Sequence, residues 1–334
     1  MDSILAESKL TYHGLRMTST DTDETGVNLG RAQTDQIKSL IRTFLEDIGF
    51  DRSIRVVKDH EMKIIVWQYF QSLHLGEKNE KSVQQTLDPS VNFAYHGYTS
   101  LPFQVRVLGA IQFLYMFLVD DMAEEFIDEL QVSGQNFTLN QHHKHPILAG
   151  LDSHIRNLSD YYGPYCHSVM IKGMLDYING RVVEHKIKQS NFNFSESRLM
   201  PMFLRTKVGG AEIMIHFLYP NSVFPEEEYV MRYFPVTLEL VLFIDFTNDI
   251  LSYYKEFCLD DETGNSWQIS PTRIMPSIWM SCGTSQATPL LPSLLALVKN
   301  FTQGMIMLFT AHRRYHLVEL FADEQYLPPY SEDA

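Results

Sequence analysis

The stretch Leu238–Glu256, LELVLFIDFTNDILSYYKE, is the strongest indication of fold and chemistry in this chain. Its mostly apolar first half has helical length and contains no Pro or Gly, so we expect a helix that leaves the core. On that helix Asn248, Ser252 and Glu256 are spaced i, i+4 and i+8 and share one face. Their amide, hydroxyl and carboxylate oxygens suit a hard cation such as Mg²⁺, and the neighbouring Lys255 suits a phosphate. The alternative is a helix that ends in a solvated polar segment.

A second acidic cluster lies far upstream of this stretch. Leu101–Val119 is mostly apolar and predicts another helix, which ends in Asp120 and Asp121. Adjacent carboxylates repel one another unless solvent or a cation separates them. The residues three, four and seven positions before Asp120 share its helical face: Phe117, Met116 and Phe113. The pattern predicts an apolar, aromatic wall with carboxylates at its rim, and a solvated acidic helix end is the alternative.

Length and composition limit the class of protein. The 334 residues allow one large domain or two average ones, and 45% hydrophobic residues indicate a substantial core. A net charge of -14 argues against a nucleic-acid surface, and the three cysteines without CxxC spacing predict neither disulfides nor a thiolate metal site. Charges throughout Met1–Leu15 argue against a secretory signal, and we find no membrane span. We therefore expect a cytoplasmic protein.

The periodic segments are helical in length, and strand alternation is hard to find. The apolar residues between Ile37 and Ile48 recur at helical spacing, and a last long helix is predicted over Ser293–Phe321. We expect an all-α fold with one domain over residues 31–325, between tails at residues 1–30 and 326–334. Polar or Gly- and Pro-containing stretches predict loops at Gln131–Pro146, Gln189–Ser197, Leu259–Pro271 and Ser281–Pro292.

Two further basic segments are candidates for holding an anion. Arg313-Arg314-Tyr315 follows the apolar part of the last predicted helix, where two guanidinium groups and a hydroxyl could bind a diphosphate. The alternative is a favourable interaction with the helix dipole. Arg205 precedes Gly209-Gly210, and these small residues indicate either close helix packing or a local break beside a ligand.

Together these segments resemble a class I terpene cyclase, and more narrowly the fungal trichodiene synthase family of sesquiterpene cyclases. Asn248–Glu256 fits the second metal motif of that superfamily, (N/D)Dxx(S/T)xx(K/R)(D/E), at every constrained place. Asp120–Glu124 matches the aspartate-rich motif in its DDxxE form. Phe203-Leu204-Arg205 resembles the family's diphosphate-sensing segment, and Arg313-Arg314-Tyr315 resembles its basic motif. The similarity runs from about residue 35 to residue 325.

The resemblance implies a helical bundle around a central apolar cavity, three Mg²⁺ ions, farnesyl diphosphate as substrate and a possible homodimer. The implied metal ligands are Asp120, Asn248, Ser252 and Glu256, which are also the implied catalytic residues together with Arg314. The implied diphosphate-binding residues are Arg205, Lys255, Arg314 and Tyr315, and Asp121 would pair with Arg314 when the site closes. The implied cavity residues are Phe113, Met116, Phe117 and Leu308.

The chain departs from the family's pattern at three places. His312 and His316 stand where the basic motif has Asp and Arg, and Leu308 stands where trichodiene synthase has a tryptophan. These differences argue against trichodiene as the product. Two other functions stay open. A prenyl chain-elongating synthase would carry a second aspartate-rich motif in place of the Asn/Ser/Glu pattern, and a non-catalytic helical scaffold would not need the intact motifs.

Overall fold

The computed structural model describes residues 31–190, 200–255, 292–324 and 326–327, and regular structure within these ranges is entirely helical. The predicted all-α class is confirmed. The α-helices of the described ranges are, in chain order, α1 (Arg31–Asp47), α2 (His60–Ser72), α3 (Glu77–Gly97), α4 (Phe103–Met122), α5 (Ile127–Thr138), α6 (Pro146–Asn157), α7 (Pro164–Gln189), α8 (Met200–Val208), α9 (Ala211–His216), α10 (Glu226–Tyr254), α11 (Pro292–Ala311) and α12 (Leu317–Leu320). Single 3₁₀ turns follow α4, α6, α11 and α12.

Local sequence explains several of the helix boundaries. Pro146 and Pro164 stand in the first turns of α6 and α7, where proline needs no amide hydrogen and its fixed φ favours the helix. The Asp59 side chain accepts a hydrogen bond from the Met62 amide and caps α2. Three glutamates, Glu226–Glu228, begin α10, where the helix dipole favours negative charge.

Helices α3, α4 and α11 pack together at the centre of the core. Gly304 of α11 lies directly against the backbone of α3, because a Cβ there would collide with His96 and Gly97. Helices α4 and α11 both pack on α3, and α7, α8 and α10 complete the surroundings of the cavity. Residues from α4 and α11 therefore face the same interior space.

Two of these helices are long and apolar enough to cross a bilayer by length and composition alone. They are the segment Phe103–Glu125, which contains α4, and α11. Most of each is buried against other parts of the protein, 67% and 61% respectively. A helix that is apolar on all sides is typical of a protein core, and packing of this kind explains the composition of both.

The predicted C-terminal end of the last long helix is wrong. We expected it over Ser293–Phe321, but α11 ends at Ala311. His312 adopts an extended backbone (φ -101°, ψ 134°) and its Nδ1 accepts the Arg314 amide hydrogen at 3.2 Å. A 3₁₀ turn follows, and His316 is left-handed (φ 56°) before α12 begins. Arg313-Arg314-Tyr315 therefore forms a separate turn rather than the end of the long helix.

The loop predicted over Gln131–Pro146 is also partly wrong, because α5 continues to Thr138. Gln131, Gln135 and Thr138 are exposed, whereas Leu130 and Ser133 are buried, and α5 packs against α7. Tertiary packing thus overrides a composition typical of loops. The tail at residues 1–30, the loop at Leu259–Pro271 and nearly all of the stretches predicted as Gln189–Ser197 and Ser281–Pro292 lie outside the described residues.

Candidate active site

A cavity of about 480 Å³ opens among α4, α7, α8, α10 and α11. Its volume lies in the range of about 300–1,000 Å³ that is common for small-molecule sites. The structure places all four residues predicted for the cavity wall around it: Phe113, Met116, Phe117 and Leu308. Further apolar lining comes from Met214, Ile244, Met305 and Phe309. The interior is therefore suited to a hydrocarbon ligand.

The aromatic residues of the wall are held by their neighbours. The Phe113 ring stacks on Phe93 with centroids 4.2 Å apart and meets the edge of Phe117 at 4.9 Å. Tyr177 donates its hydroxyl hydrogen to the Met116 carbonyl oxygen at 2.9 Å. Because α4 is packed on most of its sides, these rings have fixed orientations toward the cavity.

The end of α4 forms one side of the cavity mouth. Arg314 binds Asp121 in a bidentate manner, with Nη1 donating to Oδ2 at 3.0 Å and Nη2 to Oδ1 at 2.5 Å. Its guanidinium carbon also lies 5.2 Å from the centre of the Phe117 ring. Although burial alone would lower the pKa of Arg314, its hydrogen bond and charge interaction with Asp121 raise that pKa above the usual value. The residues predicted from two distant motifs therefore meet here.

Asp120, the other carboxylate of this pair, forms an ion pair with Arg181 of α7. Arg181 Nη1 also lies 2.9 Å from Glu184 Oε2, and Nη2 donates to the Val208 carbonyl oxygen at 2.8 Å. Burial raises the pKa of Glu184, and the Arg181 charge opposes that rise. Our sequence analysis missed Arg181.

Other residues of α7 continue this row of charges along the mouth. His185 and Lys188 also line the cavity, four and seven positions after Arg181, and His185 Nδ1 lies 2.5 Å from Glu124 Oε2. The i, i+4, i+7 spacing of basic residues on one helix is a signal that could have identified this cationic row from the sequence.

Helix α10 forms the opposite side of the mouth. Asn248, Asp249 and Lys255 line the cavity, and Asp249 Oδ1 lies 2.8 Å from Arg205 Nε. Ser252 is only 1% exposed, and its Oγ has no hydrogen-bond partner within the described part of the chain. Glu256, the last predicted metal ligand, lies outside the described residues.

Asp245 is a buried carboxylate one helical turn before Asn248, and the sequence analysis overlooked it. It is 1% exposed, and neither of its carboxylate oxygens accepts a hydrogen bond from any residue that the structure describes. Burial raises its pKa to about 7, whereas the Arg205 charge lowers it and the Asp249 charge raises it further. Arg205 Nη1 lies 3.7 Å from Asp245 Oδ1, and Nη2 donates to the Asp245 carbonyl oxygen at 2.8 Å.

The break between α8 and α9 brings backbone close to these groups. Gly210 is left-handed (φ 64°), and a Cβ on it would collide with Met116 Cε. A Cβ on Gly209 would collide with Asp245 Oδ1. Glycine is therefore required at both positions, by space at Gly209 and by space and backbone conformation at Gly210. Of the two interpretations given by the sequence, a local break beside the cavity matches this geometry.

Tyr315 completes the set of predicted side chains at the cavity. It is buried, and its ring lies 4.6 Å from that of Phe309. Burial lowers the pKa of the neighbouring His312 to about 4, and the Arg314 charge adds to this effect. His312 is therefore neutral at pH 7, in contrast to the aspartate expected there from the resemblance.

The oxygen atoms around the cavity fit a hard divalent cation. Asp120 and Asn248 border the same space, and the buried Ser252 hydroxyl is an orphaned donor and acceptor of the kind that a ligand satisfies. Within residues 31–190, 200–255 and 292–327, no three His, Cys, Asp or Glu side chains form a metal-binding group. The predicted ligands on α10 do not form such a group, because Asn248 offers an amide and Ser252 a hydroxyl. Glu256 lies outside the described residues.

Comparison with known proteins gives a consistent result. The sequence model of a family described as trichodiene synthase matches residues 52–271. An (E)-beta farnesene synthase from Metarhizium brunneum is 23% identical over 308 residues, which cover 87% of this chain and 93% of the relative. A trichodiene synthase from Paramyrothecium roridum is 23% identical over 279 residues, covering 77% and 69%. An alpha-cuprenene synthase from Coprinopsis cinerea is 26% identical over 233 residues, covering 66% and 70%.

Proposed function

The chain belongs to the trichodiene synthase family and is an enzyme of the terpene synthase class, and from this premise we propose that it is a Mg²⁺-dependent cyclase of farnesyl diphosphate. The reaction would release diphosphate and yield a polycyclic sesquiterpene, either a hydrocarbon or an alcohol. The observation that carries the proposal is one cavity with an apolar wall, bordered by Asp120 on one side and by Asn248 on the other. The similarity to the farnesene, trichodiene and cuprenene synthases supports a sesquiterpene product.

The residues proposed as metal ligands divide between two helices. Asp120 would bind metal from α4, and Asn248, Ser252 and Glu256 would bind it from α10 and the residue that follows Lys255. Mg²⁺ bound to such ligands would supply positive charge to the departing diphosphate. The hard oxygen atoms support this assignment, as does the buried Ser252 hydroxyl, which has no hydrogen-bond partner among the described residues. We propose three ions on the basis of the family resemblance.

The cationic side chains at the mouth are suited to the diphosphate itself. Arg205, Lys255, Arg314 and Tyr315 all border the cavity. The two guanidinium groups present planar sets of donors that match phosphate oxygens, and the Lys255 ammonium adds a point charge. When the allylic C–O bond breaks, its electron pair leaves with the diphosphate. These residues would then stabilise the charge that develops on the leaving group.

The apolar part of the cavity would hold the prenyl chain and the carbocation. The faces of Phe113 and Phe117 offer negative electrostatic potential without acting as strong bases, and each such contact contributes about 0.5–2 kcal/mol. Arg314 lies over Phe117 and binds Asp121, so it joins the polar mouth to the aromatic wall. Excluding water from this space would prevent early quenching of the cation.

Product formation from prenyl diphosphates tests the proposal. The purified protein is incubated with geranyl, farnesyl or geranylgeranyl diphosphate, with Mg²⁺ or with EDTA, and the extract is examined by gas chromatography. We expect a cyclic hydrocarbon or alcohol from farnesyl diphosphate that depends on Mg²⁺. A longer prenyl diphosphate would instead identify a chain-elongating synthase, and no turnover of any substrate would identify a scaffold.

A pair of aspartate variants adds a matched control. Asp120→Asn should lower product formation by about 100-fold because it removes a charged metal ligand. Asp152 on α6 is likewise paired with an arginine, with Arg156 Nε at 2.8 Å, but it does not border the cavity. Asp152→Asn should leave product formation unchanged. Equal activity in the two variants would contradict the assignment of Asp120.

We also propose that residues 31–325 act as one catalytic domain, as the distribution of cavity residues from Phe113 to Tyr315 supports. Limited proteolysis would test it, since a stable fragment lacking α11 would contradict a single unit. The homodimer and the cytoplasmic location stay predictions.

A further inference from the structure

Among the described residues, Arg181 is the positively charged side chain that lies nearest to the Asp120 carboxylate. One Asp120 oxygen, Oδ1, contacts Arg181, whereas Oδ2 lies 3.9 Å from Arg314 Nη2. Arg314 is engaged elsewhere, because both of its terminal nitrogens bind Asp121. The carboxylate proposed to bind metal is therefore already occupied by a guanidinium group from α7.

A guanidinium ion and a divalent cation compete for the same carboxylate oxygen. Both carry positive charge, and they repel one another when they approach a shared ligand. Arg181 is only 16% exposed, so water screens this repulsion weakly. Binding of a cation to Asp120 through Oδ1 thus requires Arg181 to move away from that oxygen.

The other contacts of Arg181 determine where it would stay. Glu184 lies 2.9 Å from Nη1, the Val208 carbonyl accepts from Nη2 at 2.8 Å, and the guanidinium carbon lies 5.0 Å from the centre of the Tyr177 ring. Val208 is the last residue of α8, and the exposed carbonyls of a helix C-terminus favour a cation. These contacts keep the guanidinium at the cavity mouth after it leaves Asp120.

We propose that Arg181 is the resident counter-ion of Asp120, that a divalent cation must displace it, and that the displaced guanidinium then donates to the diphosphate. This inference rests on the proposed function. Arg181 thereby sets the Mg²⁺ concentration at which the site fills, and it converts metal binding into an additional contact with the anion. The residue acts on substrate only in the metal-bound state.

Calorimetric titration of the intact protein with Mg²⁺, without substrate, tests the first half of the proposal. Arg181→Gln should lower the half-saturating Mg²⁺ concentration by about threefold to tenfold, because the competing charge is gone. Lys172→Gln is the matched control: it also removes one positive charge from α7, but Lys172 pairs with Glu212 and Asp176 and does not border the cavity. Its half-saturating concentration should equal that of the wild type.

Titration with inorganic diphosphate at saturating Mg²⁺ tests the second half. Arg181→Gln should bind diphosphate about tenfold more weakly than the wild type, and Lys172→Gln should not. Opposite changes in the affinities for metal and for diphosphate are the signature of exchange. A purely structural role would lower the thermal unfolding temperature without this pair of changes, and would overturn the proposal.

Two further variants separate the possible failures. If Arg181→Gln does not fold, Arg181→Lys keeps the charge but cannot reproduce the planar donor set that contacts Asp120, Glu184 and Val208. Its half-saturating Mg²⁺ concentration should still fall by about twofold. An unchanged value overturns the role of Arg181. Asp120→Asn in an otherwise wild-type chain should lose the part of the Mg²⁺ signal that comes from the α4 side and keep the part that comes from the α10 ligands. If that variant binds Mg²⁺ normally, or the wild type binds none, the proposed function itself fails.

Discussion

Helices α4 and α10 differ in how far the protein itself hydrogen-bonds the oxygen atoms that they offer. On the α4 side, Asp120 and Asp121 are 38% and 33% exposed, and each is paired with an arginine from another element. On the α10 side, the Ser252 hydroxyl and the Asp245 carboxylate are buried and accept no hydrogen bond from the described residues. A buried polar group without a partner costs about 1–3 kcal/mol and persists where a function requires it.

This difference indicates two ways of preparing a site for a cation. The Asn248 amide borders the cavity from α10, and the Ser252 and Asp245 oxygens have no hydrogen bond to a described residue that an ion would first have to displace. The α4 carboxylates are neutralised by the protein's own arginines, and an ion must replace one of those contacts. One side is therefore preorganised, and the other acts by exchange of counter-ions.

The largest expected effect comes from removing an α10 ligand. Asn248→Ala should lower turnover of farnesyl diphosphate by about 100-fold, since the amide oxygen is lost from a preorganised set. Asn300→Ala is the control, because Asn300 of α11 donates to Ser100 Oγ at 2.7 Å and does not border the cavity. Turnover is measured by gas chromatography at several Mg²⁺ concentrations. Full activity of Asn248→Ala would show that Asn248 of α10 is not a metal ligand.

The next effect concerns the buried carboxylate of α10 and its dependence on pH. Because the pKa of Asp245 is raised to about 7, the folded protein keeps a proton that the unfolded chain releases near pH 4. The stability of the wild type therefore falls, relative to Asp245→Asn, as the pH rises toward 7, and then levels off. Between pH 5.5 and 8 the gap should widen by about 2 kcal/mol, or about 3 °C in unfolding temperature.

Differential scanning fluorimetry in EDTA measures this gap. Between pH 8.5 and 9.5 the difference between the two proteins should be constant, which provides an internal control. A gap that is also constant from pH 5.5 to 8 would mean that Asp245 is ionised throughout and that Arg205 satisfies it fully.

A smaller effect on turnover is expected at the α4 carboxylates, where a cation would replace an arginine contact. Arg314→Lys should lower turnover by about tenfold, because an ammonium group cannot reproduce the two parallel hydrogen bonds to Asp121. Arg156→Lys alters the equivalent pairing with Asp152 on α6 and should leave turnover unchanged. Equal rates for both variants and the wild type would show that bidentate pairing at the mouth is dispensable.

The smallest expected effect is a change in thermal stability that distinguishes two buried hydroxyl groups of α10. Without metal, Ser252→Ala and Thr247→Val should each stabilise the protein by about 1 kcal/mol, or about 2 °C, because both remove a buried hydroxyl without a described partner. Mg²⁺ with diphosphate should then raise the unfolding temperature of Thr247→Val as it does the wild type, but raise that of Ser252→Ala less. Identical responses would mean that Ser252 Oγ is not a ligand.

Much of the fold could be predicted because helical periodicity is a local property. The helix ending at Asp120 and Asp121 was expected over Leu101–Val119, and α4 spans Phe103–Met122. The shared face of Phe113, Met116 and Phe117 followed from their spacing. By contrast, the end of α11 at Ala311 depends on a hydrogen bond between His312 and Arg314, which no periodic pattern contains.

The sequence predicted those residues of the candidate site that belong to recognisable motifs. Arg181 and Asp245 were not predicted because neither belongs to a recognised motif, and charged residues are usually solvated. Asp245 even lies inside the stretch used to predict the helix, where its burial beneath Gly209 could not be read from spacing. Their importance depends on partners that are distant in the chain.

The sequence by itself determined the helical class and the two oxygen-bearing helix faces, because a period of about 3.6 residues places those side chains together whatever surrounds them. Only the tertiary structure decided which charges meet: Arg181 with Asp120, Arg314 with Asp121, and Asp245 beneath the α8–α9 break. Such contacts arise from the packing of separate helices. That packing therefore decides which of these oxygens accept hydrogen bonds from arginine and which accept none from the described residues.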